Sequence, residues 1–249
     1  MDSLKKHIIF LDSVDSTNNY AKQLLARQTV PEGTLILAGS QTAGMGLGTN
    51  TWESEPGKNL TFSIIFHPVF LAIEKQFFFN QAISLGIVDF FNLMINDGGI
   101  SLKWPNDIYF HSKKMGGILI QNSVSGQVFE HAVVGIGLNI NQDRFLEKIP
   151  NPVSLKQILN QDTDLNFALD LVFNSIETRY IQLRNGHFRK LRKDYSDHLL
   201  GFEIWRNYFS GEKRFEGMIK GVTEFGRLLV ENRLGEILEF DHKEIEYML

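Results

Sequence analysis

The sequence predicts an α/β (α+β) chain that ends in a small antiparallel barrel, and three observations carry that reading. Apolar runs of strand length alternate with stretches of helical periodicity through residues 1–198. From about Phe202 the texture changes to short alternating runs, EIWRNYF, RFEGMIKGV, GRLLVEN, EILEF and EIEYML, separated by SGE, TEFG and RLG. That spacing is the signature of a small antiparallel sheet. The length, 249 residues, accommodates one large domain and a small appendage, and a chain of this size buries roughly 70–75% of its unfolded surface without staples. The expected division is a unit at 1–198 and a smaller β unit at 199–249.

Element by element, IIFLDS predicts a short buried strand. STNNYAKQLLARQ follows with Tyr20, Ala21, Leu24 and Leu25 at helical spacing and Ser16 or Thr17 placed to cap the start. TLILAGS is a second strand. LTFSIIF is a third, after a long segment without periodicity, and EKQFFFNQAISLGIVDFFNLMI has the length and apolarity of a buried helix. SLKW, DIYF, GGILIQNSV and FEHAVVGIGLNIN predict strands around the polar turns PND and HSKK. Asp164 to about Tyr195 predicts one helix, with Leu165, Ala168, Leu169, Val172, Ile176 and Tyr180 near one face. The basic run HFRKLRK reads as a solvated helix face beside acidic neighbours.

Composition narrows the function classes. Cysteine is absent, which excludes disulfides and thiolate chemistry and is compatible with a reducing compartment. A net charge of −4 argues against an indiscriminate nucleic-acid binder. The first apolar run covers only Ile8 to Leu11, too short for a signal peptide, and no stretch is expected to span a membrane. The expectation is a soluble cytoplasmic protein.

Four segments carry candidate chemistry. AGMGLGTNTWES follows a strand, but TNTWESEPGKN cannot form the amphipathic helix that a dinucleotide fingerprint requires. What remains is a loop whose backbone N–H groups can close over an anion, or a plain surface loop. In KWPND, Lys103 ends an apolar strand, Trp104 offers a flat wall, Pro105 fixes the turn, and Asn106 and Asp107 present polar groups. A lysine and a carboxylate so placed can serve a phosphate and its Mg²⁺; the alternative is a turn with an incidental surface pair. KKMGGIL sets Lys114 before two glycines and an apolar strand, so it either reaches a carboxylate or phosphate or decorates a hairpin. VVGIGLNIN alternates Gly135 and Gly137 along a buried strand, for packing relief or for ligand room.

Taken in order, DSTN (Asp15 to Asn18), QTAG with its Gly-rich loop, W-x-S-x-x-G-x-N-L (Trp52 to Leu60), KWPND, K-x-G-G-I-L and G-x-G-x-N resemble the biotin–protein ligases, over about residues 8 to 141. GRLLVE and KEIEY are similar to that family's C-terminal β unit. The resemblance implies a class II synthetase-like catalytic domain with a mixed sheet, followed by an SH3-like barrel. It implies activation of biotin with ATP to biotinoyl-5′-AMP and transfer to a lysine of a biotin carboxyl carrier domain. By position, Lys114, Lys103 and Asp107 would be catalytic, with Asp107 also serving Mg²⁺. Ser16, Thr17, Asn18, Gln41, Gly116, Gly117 and Trp52 would hold biotin, and Gly44, Gly46, Asn106 and Asn139 the nucleotide.

Two departures bear on these expectations. The family's loop reads G-R-G, often with a further arginine, whereas the matching positions here are Gly44, Met45, Gly46 and Leu47, and no arginine occurs between Ala43 and Trp52. Some relatives carry a helix-turn-helix ahead of the catalytic domain; about seven residues before the first strand are too few for that motif, so no DNA partner is expected, nor a membrane, and a homodimer is left open. The alternatives are a lipoate or octanoate ligase or transferase of the same fold, whose arginine- and glycine-rich run is not seen here, and a catalytically weakened biotin-binding paralogue.

Overall fold

The computed structural model describes residues 3–126, 128–146, 149 and 151–248. Strands β1 (His7–Leu11), β2 (Thr34–Ala38), β3 (Leu60–Phe66), β4 (Ile100–Lys103), β5 (Asp107–Phe110), β6 (Lys113–Ser125) and β7 (Val128–Leu138) form one sheet in the order β1-β2-β3-β7-β6-β5-β4. The β1–β2 pair is parallel and the other pairs are antiparallel, so the sheet is mixed as expected. Helix α1 (Thr17–Arg27) makes the parallel crossover from β1 to β2. β7 returns between β3 and β6 and carries both alternating glycines into the middle of the sheet.

Helix α2 (Gln76–Met94) is apolar all round, and a helix of that kind must be buried. Phe79, Ile83, Ile87, Phe90 and Phe91 have no measurable exposure. By length and composition the segment Ile73–Met94 would suffice to cross a bilayer, which the sequence reading did not anticipate, but 72% of its apolar window is buried inside this protein. It packs on the sheet and against α4 (Leu165–Arg184). Gly86 permits the close crossing, since a Cβ there would start 2.5 Å from the Cα of Ile176. Arg179 of α4 then ties three helices together. Its Nε and Nη2 donate to Asp89 of α2 at 2.5 and 2.9 Å, and Nη1 donates to Asp194 at 2.6 Å.

Two local expectations need correction, and one element was not expected. The single helix expected over Asp164 to Tyr195 is two, α4 and α5 (Phe188–Asp197), because Gly186 adopts a positive φ of 73° and ends the first. A short helix, α3 (Leu155–Leu159), had no apolar period long enough to be noticed; a capping box between Ser154 and Gln157 starts it. Helix α1 has Ser16 at its N-cap, but no hydroxyl caps it. The side chain of Gln41, distant in sequence, accepts from the Thr17 N–H at 2.7 Å instead.

The second sheet holds β8 (Trp205–Ser210), β9 (Lys213–Val222), β10 (Leu228–Asn232), β11 (Ile237–Phe240) and β12 (Glu246–Tyr247), all antiparallel, in the order β11-β10-β9-β8-β12. It is not a separate body by packing. Tyr208, Ile219, Leu228, Val230, Phe240 and Ile245 belong to the same apolar cluster as Trp104, Leu102 and the first sheet. Residues 198–200 run beside β4, with Leu102 N–H donating to His198 O at 2.7 Å and Leu200 N–H to Leu102 O at 2.9 Å.

Candidate active site

The C-terminal end of β1 and the start of α1 bring Ser16, Thr17 and Asn18 into the interior, where each is at most 3% exposed. Buried polar groups need partners, and these find one another. Thr17 Oγ1 donates to Gln41 Oε1 at 3.1 Å, and Ser63 Oγ lies 2.7 Å from Thr17 Oγ1 and 2.6 Å from Asn18 Oδ1. Asn18 Nδ2 donates to Leu119 O and to Gln121 Oε1. The result is a preformed polar floor. Gly135 lies under it because a Cβ there would collide with the Asn18 carboxamide.

The Gly-rich loop is more organised than its composition suggests. Thr42 and Ala43 N–H groups donate to Val14 and Asp15 carbonyls, Gly46 N–H to Asn50 O, and Trp52 N–H to Gly44 O. This folds the loop back on itself and lays the Trp52 indole over Gly137, where a Cβ would overlap the ring. The alternating glycines of β7 therefore seat two side chains of this chain, Asn18 and Trp52. The indole Nε1 is buried and has no hydrogen-bond partner among the described residues.

Opposite Trp52 lie the charges. The β5–β6 pairing sets Lys114 beside Asp107, with Nζ 2.7 Å from Oδ1, and Nζ 6.0 Å from the Trp52 ring centroid. The backbone of Lys114 is clamped: its N–H donates to Asn151 O, and its carbonyl accepts from Val153 N–H and Asn139 Nδ2. Lys103 sits between the rings of Tyr109 (5.5 Å) and Tyr247 (5.4 Å). Burial holds its ammonium below the usual lysine range; Asp107 opposes that shift and Lys114 adds to it. Burial, reinforced by Asp107, pushes the Tyr109 hydroxyl up to about 12. The PND turn is fixed by Asn106, whose Nδ2 donates to Ile118 O at 2.6 Å, and by Trp104, whose Nε1 donates to Gly226 O in the β9–β10 loop at 2.9 Å.

These groups border one cavity of about 520 Å³, a size suited to a small-molecule site. Ser16, Thr17, Asn18, Gln41, Gly46 and Trp52 line it, as do Lys103, Asn106, Asp107, Lys114 and Gly117. Three of the expected residues do not. Gly116 is needed for backbone approach, since a Cβ would meet Gly137 O and Leu138. Gly44 is confined by Gln41 and by the Trp52 carbonyl. Asn139 is buried and spends its amide on the carbonyls of Lys114 and Val153. Conversely, His242, Lys243 and Ile245 of the connection between β11 and β12 and Glu246 and Tyr247 of β12 line the cavity. The sequence reading gave them no site role, although KEIEY was visible.

With that geometry in view, the comparison with known proteins is direct. The profile of the Biotin/lipoate A/B protein ligase family matches residues 10–139, from β1 through the glycines of β7. The chain belongs to the Biotin/lipoate A/B protein ligase family. The family match thus contains the polar floor, the Trp52 loop and the Lys103, Asp107 and Lys114 cluster, while the lining residues at 242–247 lie beyond it. Among relatives, the bifunctional ligase/repressor BirA of Bacillus spizizenii is 29% identical over 235 residues, covering 92% of this chain and 71% of its own. The biotin–[acetyl-CoA-carboxylase] ligase of Mycobacterium tuberculosis is 27% identical over 228 residues, 89% of this chain and 83% of its own. A biotin protein ligase from Aquifex aeolicus, solved with biotin and ATP, superimposes with a TM-score of 0.80 at 27% identity, covering 98% of this chain and all of that one.

Proposed function

We propose that this protein is an ATP-dependent biotin–protein ligase, and the carrying observation is the joining of two half-sites in one cavity. At one end lies a buried, mutually bonded polar floor (Thr17, Asn18, Gln41, Ser63) that suits the ureido ring of biotin. At the other lie two lysines around Asp107 beneath an aromatic lid. A lipoyl dithiolane offers only weakly accepting sulfur atoms to such a floor and gains less there than a ureido ring, which both donates and accepts. The polar floor therefore favours biotin over lipoate.

In the first step a carboxylate oxygen of biotin attacks the α-phosphorus of ATP. The new P–O bond forms as the bond to the β-phosphate oxygen breaks, and pyrophosphate leaves. Lys114, with its backbone clamped and its ammonium beside Asp107, is the charge that neutralises the two approaching anions. Among the described residues no group of three or more metal-ligating side chains exists, so Mg²⁺ would be held by Asp107 together with the phosphates themselves, which is how that ion is usually bound; when bound it offsets charge on the triphosphate. In the second step the amine of an acceptor lysine attacks the acyl carbon, the C–O bond to phosphate breaks, AMP leaves, and the nitrogen loses its extra proton. Asp107 lines the cavity from the start of β5. The acceptor is a lysine on a biotin carboxyl carrier domain, a reading supported by the carboxylase-ligase relatives.

Biotin-dependent ATP–pyrophosphate exchange tests the proposal. The wild type should catalyse it, and Lys114→Ala should lose about 10²–10³-fold, the usual cost of deleting one preorganised charge, with circular dichroism unchanged. Near-normal exchange in Lys114→Ala would remove that lysine from the mechanism, and exchange driven by lipoate instead would reassign the substrate.

A further inference from the structure

We propose that Lys243, carried by the turn between β11 and β12, is the cation that closes the Gly-rich loop over the phosphate of the bound nucleotide and its adenylate, in place of a loop arginine. The proposal rests on the ligase reading above.

Three independent observations converge on this residue. First, residues 44–51 contain no lysine or arginine, so the loop itself brings no charge to a phosphate. Second, Lys243 lines the same cavity, and its Nζ lies against the loop: a Cβ placed on Gly48 would come within 3.1 Å of it. Among the described residues no ion pair holds this ammonium. It is thus available to an anion from solvent.

Third, the backbone at Lys243 is strained. Glu244 N–H donates to Asp241 O at 3.1 Å, closing a four-residue turn with Lys243 at its third position. There φ is +74°, whereas His242 before it is not in the positive region. That is the pattern of a type II turn, whose third position calls for glycine. A long side chain at a left-handed position is a local cost, and such costs cluster where a side chain does work in a site. The turn could have been made more comfortably with glycine, but a glycine would bring no ammonium to Gly48.

The charge balance supports the same conclusion. Lys103 and Lys114 already face Asp107, so a triphosphate or an acyl-phosphate brings more negative charge than one free ammonium offsets. Lys243 reaches the same cavity from the turn between β11 and β12, beside the loop. It would donate to non-bridging phosphate oxygens and pin Gly48, leaving Trp52 shut over the mixed anhydride.

The experiment compares wild type, Lys243→Gly, Lys243→Arg and the double variant Lys243→Gly/Met45→Arg. Each is loaded with labelled biotin and ATP, chased with excess biotin without acceptor, and timed for loss of adenylate; thermal unfolding is recorded in parallel. Because glycine relieves the turn, Lys243→Gly should melt at the same temperature as wild type or higher, yet lose adenylate about ten-fold faster, the scale of one charge-assisted hydrogen bond. Lys243→Arg should retain it, and Met45→Arg in the glycine background should restore retention. A purely structural lysine would give the reverse pattern, with lower stability and unchanged retention, and would overturn the proposal. Wild-type exchange with unaltered retention in Lys243→Gly sinks this proposal alone; absence of exchange in the wild type overturns the ligase reading and this proposal with it.

Discussion

Lys103 shows how far a single residue departs from its solution chemistry. Its ammonium is enclosed by Tyr109 and Tyr247, and burial lowers its affinity for the proton below the ordinary 10.5. The folded-state value lies below the unfolded one, so charged Lys103 weakens the fold at neutral pH, and that penalty fades as pH rises through the window between the two. Activity runs the other way. If Lys103⁺ serves the phosphates, the alkaline limb of the pyrophosphate-exchange profile should fall at a pH below that of a free lysine. Lys103→Arg should move that limb upward, because a guanidinium does not deprotonate in this range; identical limbs would release Lys103 from the role. At this scale much of the site was legible: Lys103, Asp107 and Lys114 sit in short motifs whose spacing keeps them neighbours across β4, β5 and β6. Asn139 lies off the cavity lining with its amide on two carbonyls, and sequence does not distinguish such a buried asparagine from one that binds a ligand. Ser63 was missed because it sits in a strand whose seven residues are all buried, where nothing marks one hydroxyl for the site.

The elements carry their own tests. The α2–α4 crossing depends on Gly86, so Gly86→Ala should cost about 1–3 kcal/mol in urea denaturation, the usual range for overpacking a closed interface. A neutral outcome would mean that the helices can part without penalty. The loop of residues 42–58 is stitched by its own backbone bonds, but Met45 and residues 49–51 remain exposed. Hydrogen exchange should therefore show moderate protection without ligand and a further gain at Gly46, Asn50 and Trp52 when biotin and ATP are present. Equal protection in both states would argue against closure. Strand and helix positions followed well from periodicity, since β3 and α2 are apolar over lengths that distinguish them. The α4–α5 break escaped notice because the apolar pattern carries across it, and only Gly186 marks the turn.

For the molecule as a whole, the composition of the C-terminal strands disclosed a second sheet but not its place. Pairing between residues 198–200 and β4, the Trp104–Gly226 hydrogen bond and the shared apolar cluster make the two sheets one packed unit. No local pattern encodes a contact between such distant segments, so residues 242–247 were invisible as wall residues. Unfolding should be a single transition seen equally by far-ultraviolet circular dichroism and by fluorescence, and Trp104→Phe should lower stability by about 1 kcal/mol for the lost hydrogen bond. Two separated transitions would show that the sheets fold apart. The three tryptophans happen to fall at three distinct places: Trp52 on the loop over Gly137, Trp104 at the junction of the sheets, and Trp205 under the Arg233 guanidinium, 3.8 Å from its ring centroid. With two of the three replaced by phenylalanine at a time, the emission of the one that remains reports the loop, the junction of the sheets or the outer sheet separately, in real time and without an attached dye.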